Sequence, residues 1–536
     1  MAKFVKKITS VIKGQAPGVP YSEDGFYLAG MGIDPEESME NAGITGAPII
    51  PGLMIAPINY TTFDGAGLSG APMWIITNPK NTNVYVYADD GDFISYSSAL
   101  TSGSESVIAD VDDGNGSGAA YYNNYIYLAT TIDIARYGPL DNSPTLITGV
   151  WTGATLGSQT QLGAATFPAT RNVNYPKYPM HVHSDNKLYF GDFISASNAN
   201  KGKGVVHYIK TTRTTDEGNT NDGSLYNALD LPFGYKIFDI ESFGTDLAIL
   251  ASQVGSDTTI NQGKAALFLW DTVSDSFYRQ IDIPCPLGTA LLSHGGVLYI
   301  WGGSMDFGYQ LYEYTGGFSV RVVGHFMDNS SPPFAGAVDA YGDRISWGTV
   351  ITYPSAAAVV ATLGYQSPGF SDYALNNIVK AGTSTNTLPI ISAIKYAQAT
   401  SRTKYPVIGW RTDTSATYGL EKRSGSATLG SVVRWHFVLG KKFQIKRLEV
   451  PLADDVDANT GIAPKIYLDN ASSSMTPTAI NNTNFSGKRK IIYKAPELVG
   501  ANGTNDFTLE FTWSGTNPMP ILLPIVIEGE TFDDES

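Results

Sequence analysis

HGGVLYIWG, residues 294–302, joins a two-glycine turn to a burst of aliphatic and aromatic residues. The same phrase recurs as NTNVYVYAD (81–89), YNNYIYLAT (122–130), SDNKLYFGD (184–192), FGTDLAILA (243–251) and YGDRISWGT (341–349). A polar or glycine turn followed by β-branched and aromatic residues reads as a hairpin entering a strand. Adjacent copies lie roughly 40 to 60 residues apart, the spacing of propeller blades.

Working outward, short strands gather into seven groups between residues 71 and 423. PMWIIT, NVYVYA and DFISYS form the first group, and LPIISAIKYA, YPVIGWRT and TYGLEKR the last. Three or four strands per group fit a β-propeller of about seven blades. VLYIWGG, YQLYEYT and FSVRVV resemble one kelch blade, with Gly302 and Gly303 expected to make a turn that excludes a Cβ. The polar stretches 140–176 and 211–232 interrupt the rhythm and read as long loops on one face of the disc.

The ends read differently. Residues 1–70 are expected to be an N-terminal arm, with a short amphipathic helix over 2–12 and then an extended Gly/Pro-rich segment in need of a surface to lie on. Residues 424–536 alternate apolar and polar positions through at least six segments, from VVRWHFVLG to PILLPIVIEGE, which reads as a C-terminal β-sandwich with an acidic tail. The expected class is therefore all-β.

Composition sets further bounds. Charged residues make up only 16% of the chain, while Gly (56) and Tyr (31) are abundant, which suits strands and turns better than helices. The net charge of −15 argues against general binding to nucleic acid, whose phosphates need cations. The one cysteine, Cys285, rules out a disulfide framework and a multi-cysteine metal site. No apolar run has transmembrane length and no secretory leader is legible, so synthesis in a cytoplasm is expected.

Several segments resemble virion proteins of tailed bacteriophages: GFYLAGMGIDP (25–35), IDIARYGPLD (132–141), FQIKRLEVPL (443–452), INNTNFSGKRKIIY (480–493) and LEFTWSGTNPMPILLPIVIE (509–528). The resemblance implies a non-enzymatic, tail-associated propeller of the nozzle or hub kind. It would form a homo-oligomeric ring and contact other virion proteins, with the virion as its location. The alternatives on the same scaffold are a protein that binds a host receptor or glycan, and a polysaccharide hydrolase. No nucleophile elbow, P-loop or zincin motif supports an enzyme, and no cofactor is implied.

Candidate sites are few. His181 and His183 lie two apart on an expected strand and so share a face, where imidazoles can share an ion; ordinary strand histidines are the plainer reading. Asp110, Asp112 and Asp113 form one acidic loop, and Asp455 and Asp457 part of another, with oxygen-rich compositions that suit Ca²⁺ but also suit a solvated turn. Tyr175 and Tyr178, in NYPKYP, would stack on sugar rings or pack beneath their loop.

Overall fold

The computed structural model describes the chain apart from residues 16–25, 35–53, 152–177, 195–201, 211–224, 254–262, 327–331, 352–356, 366–372, 382–388, 399–403, 413–417, 424–430, 469–473, 480–486, 496–503, 514–519, 533–536 and shorter stretches elsewhere. Seven four-stranded antiparallel sheets follow one another as blades. Their innermost strands are Pro72–Thr77, Gly118–Tyr122, Met180–Val182, Tyr235–Phe243, Leu287–His294, Val338–Tyr341 and Pro389–Gln398. Each packs beside the next, and the seventh packs beside the first, so the ring is closed. Among the described residues, the one helical element is a 3₁₀ turn at Ala335–Ala337.

The recurring phrase has one structural meaning. In blades 1 to 6 it is the turn out of the innermost strand followed by the second strand: Val84–Ala88, Tyr125–Ala129, Lys187–Ile194, Asp246–Gln253, Val297–Ser304 and Arg344–Ile351. The turns need left-handed backbone, which Asn123 and Asn124 (φ 48° and 71°) and Gly295 and Gly296 (φ 60° and 80°) supply. The second strand lies inside its blade and is covered on both faces, as the wholly buried Val84–Ala88 shows. Two-sided burial explains its unbroken apolar run.

Four expectations need correction. The stretches 140–176 and 211–232 are not simply loops: Thr145–Trp151 and Leu225–Phe233, which lie wholly or mostly within them, are the outermost strands of blades 2 and 3. Gly302 and Gly303 lie within the strand Val297–Ser304 rather than in a turn. A Cβ on Gly302 would run into Cys285 Sγ and the Leu287 carbonyl, so close packing excludes the side chain there. The segments VVRWHFVLG and FQIKRLEVPL are one continuous strand, Val432–Pro451.

The fourth correction concerns the N-terminus. Residues 2–8 form a strand, not a helix, and pair antiparallel with Ile525–Thr531. Phe4 turns inward and meets Phe443 edge to face at 6.0 Å, while Lys3, Lys6 and Lys7 stay exposed. The described parts of the first seventy residues are thus built into the body. Ala29–Met31 pairs with Val432–Arg434, Met54–Pro57 pairs with Ile521–Leu522, and Tyr60–Asp64 is the outermost strand of blade 7, paired with Tyr418–Arg423.

The C-terminal lobe is organised by Val432–Pro451. Its first half pairs with Thr504–Trp513, and its second half with Ile525–Thr531 and Lys490–Lys494. Gly440, at φ +66°, lies between the halves. Trp435 and Phe437 from one half and Phe443, Leu448 and Val450 from the other enter a single core, with Phe507 stacked on Phe437 at 5.0 Å.

Candidate functional site

Where seven innermost strands converge, they enclose a cavity of about 420 Å³. Every blade contributes to its wall, from Trp74 in blade 1 to Lys395 in blade 7. Apolar side chains make up part of the wall, and the ionisable groups on it are Tyr121, His181, Asp239, Glu241, Asp339 and Lys395. What each already holds decides what the channel can do.

Asp239 is buried. A bulge between Ile237 and Asp239 breaks the ladder and lets the side chain turn out of its own strand. One carboxyl oxygen accepts the Ile240 N–H at 2.9 Å and the other accepts the Leu291 N–H of blade 5 at 2.7 Å. Burial holds its pKa well above the usual carboxylate range, against the pull of those two N–H groups. Asp339 repeats the device two junctions away, between blades 6 and 7. It accepts the Tyr396 N–H of blade 7 at 2.7 Å and the Lys395 ammonium at 2.9 Å. Both aspartates therefore act as staples between blades.

His181 and His183 meet at one hydroxyl. Ser242 Oγ of blade 4 lies 2.7 Å from His181 Nε2 and 2.8 Å from His183 Nδ1. His183 Nε2 lies 3.1 Å from the Thr245 carbonyl, which can only accept, so that nitrogen carries a proton. Neutral His183 must then accept at Nδ1, and Ser242 gives it the one hydroxyl proton. His181 Nε2 must in turn donate to Ser242. His181 Nδ1 stands 3.2 Å from Glu241 Oε1. All four ring nitrogens thus have a protein partner. Among the described residues, no group of three or more His, Cys, Asp or Glu could hold a metal.

This cluster gives a pH prediction. Burial lowers the His183 pKa, outweighing the opposing pull of Asp185, Asp246 and the Thr245 carbonyl and acting in the same sense as neighbouring His181. An unfolded histidine titrates near pH 6.5, about its unperturbed value. As pH falls below that, the unfolded chain takes up a proton that folded His183 resists, so stability declines until the lowered folded pKa is passed. Thermal unfolding between pH 7 and 5 should show this slope, and His183→Gln should flatten it. An equal slope in the variant would refute the assignment.

The other expected site residues lie apart. Tyr178 is buried in the core between blades 2 and 3, where burial raises its pKa, and cannot stack on a sugar. Tyr175, Asp112, Asp113 and Asp457 fall outside the described residues. Asp110 ends the strand Glu105–Asp110, the outermost of blade 1, opposite Asp92. Asp455 is exposed and 3.5 Å from Arg489 Nε. Cys285 is tucked against Leu287, and burial pushes its thiol up to about 12.

A second histidine pairing carries no local signal in the sequence. His207 and Asp192 are wholly buried 3.3 Å apart in blade 3, with His207 Nδ1 accepting the Asn227 N–H at 2.9 Å. Each of these residues had a visible place in a strand, but the partner lies across the blade, fifteen or more positions away.

No protein-family model matches the chain, and no curated protein matches it. Solved structures do share its blades. The WD40 domain of Neurospora crassa Pan2 aligns with TM-score 0.41 at 8% identity, over 68% of this chain and 94% of that one. The WD40 repeats of RRP9 align with TM-score 0.40 at 9% identity, over 69% and 100%. The extracellular domain of a putative hybrid two-component system from B. thetaiotaomicron aligns with TM-score 0.38 at 13% identity, over 79% of this chain and 44% of that one. These are likenesses of fold.

Proposed function

We propose that the chain is a non-enzymatic structural subunit of a tailed-phage virion, acting as a tail-associated assembly piece. The observation that carries this reading is the way strands from the first 64 residues knit the disc and the lobe together. Ala2–Ile8 and Ala29–Met31 complete the lobe, and Tyr60–Asp64 completes blade 7. A body tied at both ends transmits load and presents faces in fixed relation, which is what a ring subunit needs. The channel supports the same reading, because its aspartates are spent on joining blades.

The test is co-purification with particles. Tagged chain made in infected cells should be recovered in complete virions, and particles assembled without it should lack tail structure. Intact infectious particles formed in its absence would sink the proposal. Polysaccharide cleavage by the purified chain would move it to the hydrolase class, and glycan binding with no particle incorporation would move it to the adhesion class.

A further inference from the structure

Away from the channel, one rim of the disc carries a cation clamped between two exposed rings. Residues 271–278 link the third and fourth strands of blade 4, and residues 315–320 make the equivalent link in blade 5, so both lie on the same face. Phe318 is 88% exposed, Tyr278 52% and Val273 86%. The Arg279 guanidinium lies over the Phe318 ring at 5.0 Å and near the Tyr278 ring at 5.7 Å.

The cluster is held in shape. Gly316 and Gly317, at φ +108° and +96°, make the turn that displays Phe318. Tyr278 is fixed by its hydroxyl bond to Asp246. Arg279 Nη1 donates to the Gly317 carbonyl at 2.8 Å and to the Tyr314 hydroxyl at 3.2 Å. Rings and a guanidinium already ordered before contact lose little freedom on binding, and Tyr and Arg are enriched in the centres of protein interfaces.

The charge indicates the partner. Among the described residues Arg279 makes no ion pair, although the chain carries −15 overall. Both its hydrogen bonds run through Nη1, so Nε and Nη2 keep their N–H groups in a fork that matches a carboxylate. We infer that this rim docks a protein segment presenting an Asp or Glu beside an apolar side chain, with the carboxylate on Arg279 and the apolar group on Phe318. The inference rests on the assembly reading but names a surface that can be tested without particles.

The experiment uses the full chain and two pools of short peptides, identical except that one carries Glu and the other Lys between leucines. The Glu pool should bind and the Lys pool should not. Phe318→Ser should weaken binding about tenfold or more with unchanged thermal unfolding, since that ring is almost wholly exposed. Arg279→Gln should remove the preference for Glu. Equal binding of both pools, or binding untouched by Phe318→Ser, would overturn the inference. Self-association of the chain abolished by Phe318→Ser would also overturn it, by giving the surface to a second copy. Loss of particle incorporation with peptide binding intact would count against the virion reading alone.

Discussion

A chain shortened to begin at residue 65 is expected to lose the propeller as a cooperative unit, whereas one that begins at residue 58 is expected to keep it. The two differ by the strand Tyr60–Asp64, the outermost strand of blade 7. Its Phe63 is buried in the core between blades 7 and 1 and meets Tyr96 edge to face at 5.5 Å. Removing a buried phenylalanine side chain alone costs about 3–5 kcal/mol. The pairing with Tyr418–Arg423 goes as well, and a domain has only about 5–15 kcal/mol to lose. The chain from residue 58 lacks Ala2–Ile8, Ala29–Met31 and the buried Ile8, Val11, Tyr27 and Ile33 of the lobe. Its lobe should therefore be the part that fails. Trp435 and Trp513 are buried in the lobe and the other tryptophans lie before residue 424, so fluorescence and limited proteolysis separate the outcomes. A chain from residue 65 that unfolds at the full-length temperature would refute the role of the closing strand.

Replacing Asp239 is expected to loosen the junction of blades 4 and 5. Asp239→Ala strands the buried N–H groups of Ile240 and Leu291, at a cost of about 1–3 kcal/mol for each group left unsatisfied. Asp239→Asn keeps one acceptor but turns an amide NH₂ toward the other N–H, so about half that loss is expected. The pH dependence is distinctive. The unfolded carboxyl ionises near its usual value of about 3.9, while burial keeps the folded one protonated to higher pH. As pH rises through that window the unfolded state sheds its proton first, and wild-type stability declines until the folded group titrates too. The gap between wild type and Asp239→Asn should therefore be widest near pH 4 and narrow toward neutrality. Urea unfolding of both proteins across that range would show it, and a constant gap would mean that Asp239 is ionised throughout.

The legibility of these features in the sequence follows burial. Second strands such as Val84–Ala88 are covered on both faces, so the apolar run survives any choice of register and marks the blades. The outermost strands Glu105–Asp110 and Thr145–Trp151 escape notice because one side faces water: they are largely exposed or half-buried and resemble polar loops. Lys3, Lys6 and Lys7 are spaced like one face of a helix, yet they are among the exposed positions of a strand whose partner lies more than five hundred residues on. No local pattern carries that information. The same holds at the channel. His181 and His183 drew attention by their spacing, but Ser242 and Glu241, which define their chemistry, sit about sixty residues later among ordinary polar residues.

The pairing of the two ends bears on how the protein is made. Thr531 Oγ1 donates to the Ala2 carbonyl, and Tyr60–Asp64 waits for Tyr418–Arg423. The first contact waits for residues 525–531 and the second for residues 418–423, so blade 7 can be closed before the lobe is complete. Blades can gather one by one during synthesis, but closure has to wait for the third strand of blade 7, and contacts so distant in sequence are slow to find. A prematurely terminated copy would have an open seventh blade or an uncovered lobe core. Rigidity of the fold is thus coupled to synthesis of strands as far along the chain as residue 531.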